Sequence, residues 1–210
     1  MQKNIYGKAS EIIAADFLKK KGYKILIISL VAVLLIAAVV GVLLLLSGGH
    51  RVIKIEDYKG EVELCRDSDN VDIFEGIKLR SEDEITTGER SKAELLCDDD
   101  KHILARENTC FTIISKGNKK EGKLEIKLLY GATLIDIENK LPDDYDFEVS
   151  TPNACLSVRG TTFEAMYDPD TNTTTLNVTE GKVKVESDSG EVIVEKGHEA
   201  VVTDTALLLD

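Results

Sequence analysis

Residues 25–46 read ILIISLVAVLLIAAVVGVLLLL, 22 positions without a charge, in which Ser29 and Gly41 interrupt an otherwise apolar run. As a helix rising about 1.5 Å per residue, the run reaches roughly 33 Å, enough to cross a hydrocarbon layer of about 30 Å. It exceeds the apolar core of a secretory signal, about 7–15 residues, and no A-x-A-like cleavage site follows it. A lipoprotein-type cleavage would need a cysteine after the small residues of LLSGGH, where His50 stands. The run therefore predicts a retained transmembrane helix over 25–46, a tail over 1–24 and a separate domain over 50–210.

Basic residues close to a span resist translocation and mark its cytoplasmic side. The first 24 residues hold Lys3, Lys8, Lys19, Lys20, Lys21 and Lys24 against Glu11 and Asp16, a balance of +4. The rest of the chain carries 20 basic and 36 acidic residues, a balance of −16. The expected topology is single-pass in the cell membrane, with the N-terminus cytoplasmic and the C-terminal domain extracytoplasmic. A domain that acidic repels phosphate backbones, so no nucleic-acid partner is expected for it.

After Arg51 the apolar spacing changes to period two, in EVELC, KLEIKLL, DFEVS, TLNV, KVKVE and EVIVE. Such alternation is the mark of half-buried strands, and glycines from Gly60 to Gly197 punctuate them at hairpin-like intervals. With no Trp and few aromatics, the core must be mainly Val, Ile and Leu. The expected fold is an all-β extracytoplasmic domain, a jelly roll, sandwich or short β-solenoid, preceded by one transmembrane helix. KGNKKEGK (116–123) reads as an exposed hairpin loop. DPDTN (168–172) reads as a second turn, because the twelve-position pattern of a calcium loop is missing.

Cys65, Cys97, Cys110 and Cys155 all follow the apolar run, in a compartment where disulfides persist. Three pairings are possible and spacing does not choose among them; burial as small apolar strand residues is an equal reading. No C-x-x-C motif points to zinc. His50, His102 and His198 lie outside any recognisable zinc or nucleophile motif, and Ser91 and Ser157 lack a G-x-S-x-G context. The sequence thus predicts no enzyme, no cofactor and no metal site.

Several segments, taken in order, resemble the FecR family of membrane-anchored extracytoplasmic β-domains. They are EGIKLRSEDEITTGERSKAELLCDDDKHI (75–103), STPNACLSVRGTTFEAMY (150–167), with its T-P-N-A and V-R-G-T-x-F signatures, and VTEGKVKV (178–185) leading to EKGHEAVV. The motif residues are Asp83, Thr87, Gly88, Ser91, Thr151, Pro152, Asn153, Val158, Arg159, Gly160, Thr161, Phe163 and Gly181. Physically, Asp83 and Thr87 suit bonds to local backbone and Gly88 suits a turn. Pro152 suits an extended lead-in, Gly160 a tight bend, and Arg159 a fork onto buried acceptors. CDDDK (97–101) departs from the D-G turn usual in the family, so that hairpin should be built differently.

Residues 6–26 also resemble the start of YraN-type proteins, a family related to small nucleases, but the acidic and lysine positions of the nuclease core do not follow. The FecR resemblance implies an extracytoplasmic domain that binds a ligand or partner in envelope sensing or transmembrane signal transfer. Its partner would be an extracytoplasmic protein or envelope polymer, with a cytoplasmic regulator reached through the tail. Signalling relatives carry a cytoplasmic helical domain that engages a sigma factor; with 24 residues on that side, direct sigma-factor control is not implied. The alternative is a structural or adhesive envelope module without signalling.

Overall fold

The computed structural model describes residue 19, residue 30, residues 32–40 and residues 51–210. The chain divides into two compact units, Met1–Gly48 and Gly49–Asp210. In the first unit, residues 32–40 are helical, and the large apolar side chains among them are exposed on every side of the helix, 48–64% for Val33, Leu34, Leu35, Ile36, Val39 and Val40. No helix among the described residues is long and apolar enough to cross a membrane. Most of the 25–46 run, the tail over 1–24 and the YraN-like stretch lie outside the described residues.

The second unit is all-β. Its sixteen strands, numbered in chain order, form one hydrogen-bonded array that is open at its edges. The first sheet runs β1 (Ile53–Lys59), β5 (Lys92–Cys97), β6 (Lys101–Ala105), β8 (Gly122–Ile137), β11 (Thr162–Asp168), β12 (Thr173–Glu180), β15 (Glu199–Val202), β16 (Leu207–Leu209). The second runs β3 (Asp69–Val71), β2 (Val62–Arg66), β4 (Glu84–Thr87), β7 (Thr109–Gly117), β8 again, β9 (Tyr145–Ser150), β10 (Cys155–Val158), β13 (Lys182–Ser187), β14 (Gly190–Glu195). Neighbouring strands are antiparallel, except that β8 and β9 pair in parallel.

Strand β8 belongs to both sheets, and its burial pattern records how. Leu124, Ile126 and Leu128 face the core in its first half; Thr133, Ile135 and Ile137 do so in its second. The buried positions switch from even to odd, a one-residue slip that would turn a regular strand inside out. A bulge absorbs the slip, because β7 pairs Cys110 with Tyr130 and then Phe111 with Leu128. Gly131, at φ 91°, makes the bend. A Cβ there would lie 2.4 Å from Thr109 Oγ1 and 2.5 Å from the Asn108 carbonyl oxygen, so no larger residue fits.

The inward positions of both sheets join one apolar cluster of Val, Ile and Leu, with Phe111, Phe147, Phe163 and Tyr145 as its largest members. Burying each such side chain contributes roughly 1.5–3 kcal/mol. At the β1 edge a bulge leaves Glu56 unpaired, and residues 76–79 bond along the strand through Ile55 N to Ile77 O and Leu79 N to Ile53 O. The strand edge is thereby covered. KGNKKEGK forms the tip of the β7–β8 hairpin and DPDTN the turn between β11 and β12, as the sequence indicated. CDDDK makes a three-residue β5–β6 turn in which Asp98 and Asp99 both adopt left-handed backbone angles, φ 54° and 70°.

Candidate functional site

Most signature residues knit turns together. Asp83, on the short loop before β4, is buried. Its carboxylate accepts two bonds from Arg66, from Nε at 2.8 Å and Nη2 at 2.6 Å, and one from the Arg80 amide at 2.8 Å. Thr87 works at longer range than the sequence suggested. Its hydroxyl donates to the Arg106 carbonyl at 2.5 Å and accepts from the Thr109 amide at 3.0 Å, joining β4 to the start of β7. Ser91 accepts from the Glu61 amide at 2.8 Å and packs against Gly60, where a Cβ would overlap its hydroxyl. The expectation for Gly88 is corrected: the left-handed residue of that turn is Arg90, at φ 54°. Gly88 instead bonds through its backbone, donating to the Glu61 carbonyl and accepting from the Asn108 amide, with the Glu61 side chain packed over it.

The T-P-N-A signature ties one sheet to the other. Residues 151–154 form a tight turn between β9 and β10, closed by Thr151 N to Ala154 O at 2.9 Å. Pro152 therefore sits exposed within a turn rather than in an extended lead-in, which its fixed φ equally allows. Asn153 Nδ2 donates to the Asn172 carbonyl at 2.6 Å and the Val202 carbonyl at 3.3 Å, while its Oδ1 accepts from Thr174 Oγ1 at 2.5 Å. Thr151 Oγ1 completes the knot, 2.7 Å from the Thr174 hydroxyl. Asn153→Ala removes four bonds, the fourth being from Thr151 Oγ1 to Asn153 Oδ1 at 3.1 Å, and strands polar groups that are largely shielded from water; an expected loss of about 2–3 kcal/mol is read from chemical denaturation of the full chain.

In V-R-G-T-x-F the pattern breaks at one residue. Val158, Thr161 and Phe163 are buried, with Thr161 Oγ1 donating to the Lys182 carbonyl at 3.0 Å. Gly160 takes φ 112° where the chain passes Lys140, and Gly181 takes φ 80° against the Gly160 carbonyl, 2.7 Å from where its Cβ would stand. Arg159, expected to clamp buried acceptors, does not. Its side chain is 59% exposed, and Nη1 meets the 87% exposed Asp143 at 3.0 Å. The alternation of β10 accounts for this, since Leu156 and Val158 point inward and Arg159 follows them outward.

Arg159 lies between two grooves. One, about 300 Å³, runs over β9, β10, β13 and β14 past Ser157, Lys184 and the exposed Ile193. The other, about 390 Å³, is polar and includes Asp136, Glu138, Asn139 and Glu180. Lys182 and Lys184 are already held by carboxylates, Glu195 at 2.5 Å and Glu186 at 2.7 Å. Arg159 is held more loosely, and a guanidinium offers its donors in a flat fork suited to carboxylate or phosphate. This exposed cation amid buried signature residues is the candidate contact surface.

A second constellation escaped the sequence reading. Asp98, in the departing CDDDK turn, accepts from the Tyr145 hydroxyl at 2.9 Å and the Val52 amide at 3.2 Å, and its Oδ2 lies 3.2 Å from Arg51 Nε. That last contact is an ion pair without the alignment of a hydrogen bond, since Arg51 Nε has no hydrogen-bond partner. The Arg51 fork donates to the Asn118 and Lys123 carbonyls. Arg51 and Lys101 lie 4.9 and 4.8 Å from the Tyr145 ring centre, within cation–π range. Burial pushes the Tyr145 phenol well above its ordinary range, so it stays a donor to Asp98.

All four cysteines are free. Cys65 and Cys110 sit on strands either side of β4, opposite Glu84 and Thr86, so they lie about 9–10 Å apart or more, beyond bridging reach. Burial raises the thiols of Cys97, Cys110 and Cys155 above their ordinary range, which keeps them protonated.

A two-sheet β-domain whose signature residues mostly knit its turns, with Arg159 left exposed among them, defines the class of module. Residues 83–184 match the family model described as FecR protein, so the resemblance read from the motifs holds over that stretch. In fold it is similar to two crystal structures of a "putative anti-sigma factor" from Parabacteroides distasonis, each with TM-score 0.52 and 16% identity. The likeness covers 60% of this chain and 58% of that one, and at that identity it is a likeness of fold. Among curated proteins none matches the chain.

Proposed function

We propose that the chain is a membrane-anchored FecR-type module. In this reading residues 25–46 span the membrane and residues 1–24 stay in the cytoplasm. The β-unit, outside, binds an extracytoplasmic partner around Arg159 and so takes part in envelope sensing or signal transfer. The observation that carries the binding surface is the exposure of Arg159 within a signature whose Val158, Thr161 and Phe163 are buried. A fold-specifying arginine would be expected inside, forked onto acceptors; an exposed one between two grooves is placed to meet something else. For the anchor, the support is the uncharged run and the outward-facing apolar side chains of residues 32–40, which suit lipid rather than water.

Arg159→Glu reverses the charge of the surface without touching the core, so the melting temperature should stay within about 2 °C. Capture of envelope proteins by the full chain should fall at least about tenfold, as expected when an interface arginine is reversed. Unchanged capture removes Arg159 from the binding surface. The topology is read by protease treatment of intact spheroplasts, where the β-unit should be digested without detergent. A β-unit protected until detergent is added overturns the anchoring. Deletion of residues 2–20 should alter transcription or cytoplasmic partners; if it alters neither, the structural or adhesive reading takes over.

A further inference from the structure

We propose that the turn over residues 142–145 is a relay between the Arg159 surface and the point where the chain enters the β-unit, so that loading Arg159 loosens Arg51. The inference deepens the reading of Arg159 as a contact surface and rests on it. The covalent path is short. Asp143, the partner of Arg159 at 3.0 Å, lies two residues before Tyr145. Between them the turn is fixed by Tyr145 N to Pro142 O at 3.1 Å and Gly122 N to Asp144 O at 2.9 Å. Tyr145 then reaches Asp98 at 2.9 Å through its hydroxyl and carries Arg51 over its ring at 4.9 Å. Arg51 and Val52 are the first described residues of the unit, and both are held by Asp98.

The two ends of this path differ in strength in the sense a relay needs. The Arg159–Asp143 pair is open to water and worth little, so an anionic group of a partner can displace Asp143 without a large penalty. The Arg51–Asp98–Tyr145 cluster is shielded, with the side chains of Arg51 and Asp98 8% and 0% exposed, so a small shift of the Tyr145 hydroxyl or ring is felt strongly there. A ligand moves an equilibrium only by its differential affinity for the two states. Coupling through one exposed pair is therefore modest, about two- to five-fold.

The test is amide hydrogen exchange on the full chain in a membrane mimic, read at Val52 N, which bonds Asp98, and at Asp98 N, which bonds the Val52 carbonyl at 2.8 Å. Tyr145→Phe, which removes only the hydroxyl, should speed exchange at both by about tenfold or more. Asp143→Ala and Arg159→Ala should each speed it about two- to five-fold, and the double variant no further, because they break one contact. Unchanged exchange at both amides in the Asp143 and Arg159 variants overturns the relay, as does a Tyr145→Phe variant that leaves them unmoved. The binding surface fails by a different sign, undiminished capture in Arg159→Glu, which leaves the exchange result standing.

Discussion

Asp98→Asn is expected to lower the melting temperature of the β-unit by roughly 10 °C. The substitution keeps the shape of the side chain but leaves the Arg51 charge buried beside a neutral amide, and breaking one partner of such a pair costs about 3–5 kcal/mol. For a unit of this size that corresponds to several degrees per two kcal/mol. The neighbouring Asp99 supplies the control. Its side chain is 77% exposed and its contact with Lys119 is a surface pair, so Asp99→Asn should change the melting temperature by less than about 2 °C. Thermal unfolding followed by circular dichroism separates the two. Equal effects from Asp98 and Asp99 would show that the cluster around Tyr145 does not hold the start of the unit.

Gly131→Ala should be at least as damaging. A left-handed backbone costs a residue with a Cβ about 1–3 kcal/mol, and the overlap with the Asn108 carbonyl and Thr109 demands that β7 move as well. Together these come to about 3–5 kcal/mol, measured as a shift of the denaturation midpoint with the slope unchanged. Gly190, also at positive φ but with no atom within 4 Å of its would-be Cβ, gives the comparison. Gly190→Ala should lose only the backbone contribution. If the two variants were equally stable, the close approach of β7 to the bend would not matter.

Much of the fold was legible because burial in a half-solvated sheet writes itself as period two. KLEIKLL, DFEVS, KVKVE and EVIVE became β8, β9, β13 and β14 with the apolar residues largely turned inward. What alternation does not announce is a strand that changes face midway. The slip between Leu128 and Thr133 reads in sequence as an ordinary loss of pattern, and only its pairing shows it to be a bulge. Short strands such as β3 and β16 carry too few residues for a period to appear.

The candidate site was legible by position and not by role. The signature residues were all named, but whether an arginine points in or out depends on the parity of β10 relative to the bend at Gly160, which Arg159 itself does not reveal. The cluster at Asp98 was half visible. CDDDK was recognisable as an unusual turn, whereas its partners Arg51 and Tyr145 lie 47 residues away on either side and leave no local trace.

The membership of β8 in both sheets bears on how the β-unit comes apart. Stripping away the strands on one side of it leaves that strand half unpaired and opens the shared apolar cluster to water. Neither sheet has a stable existence alone, so the unit should melt in one all-or-none step rather than in two stages.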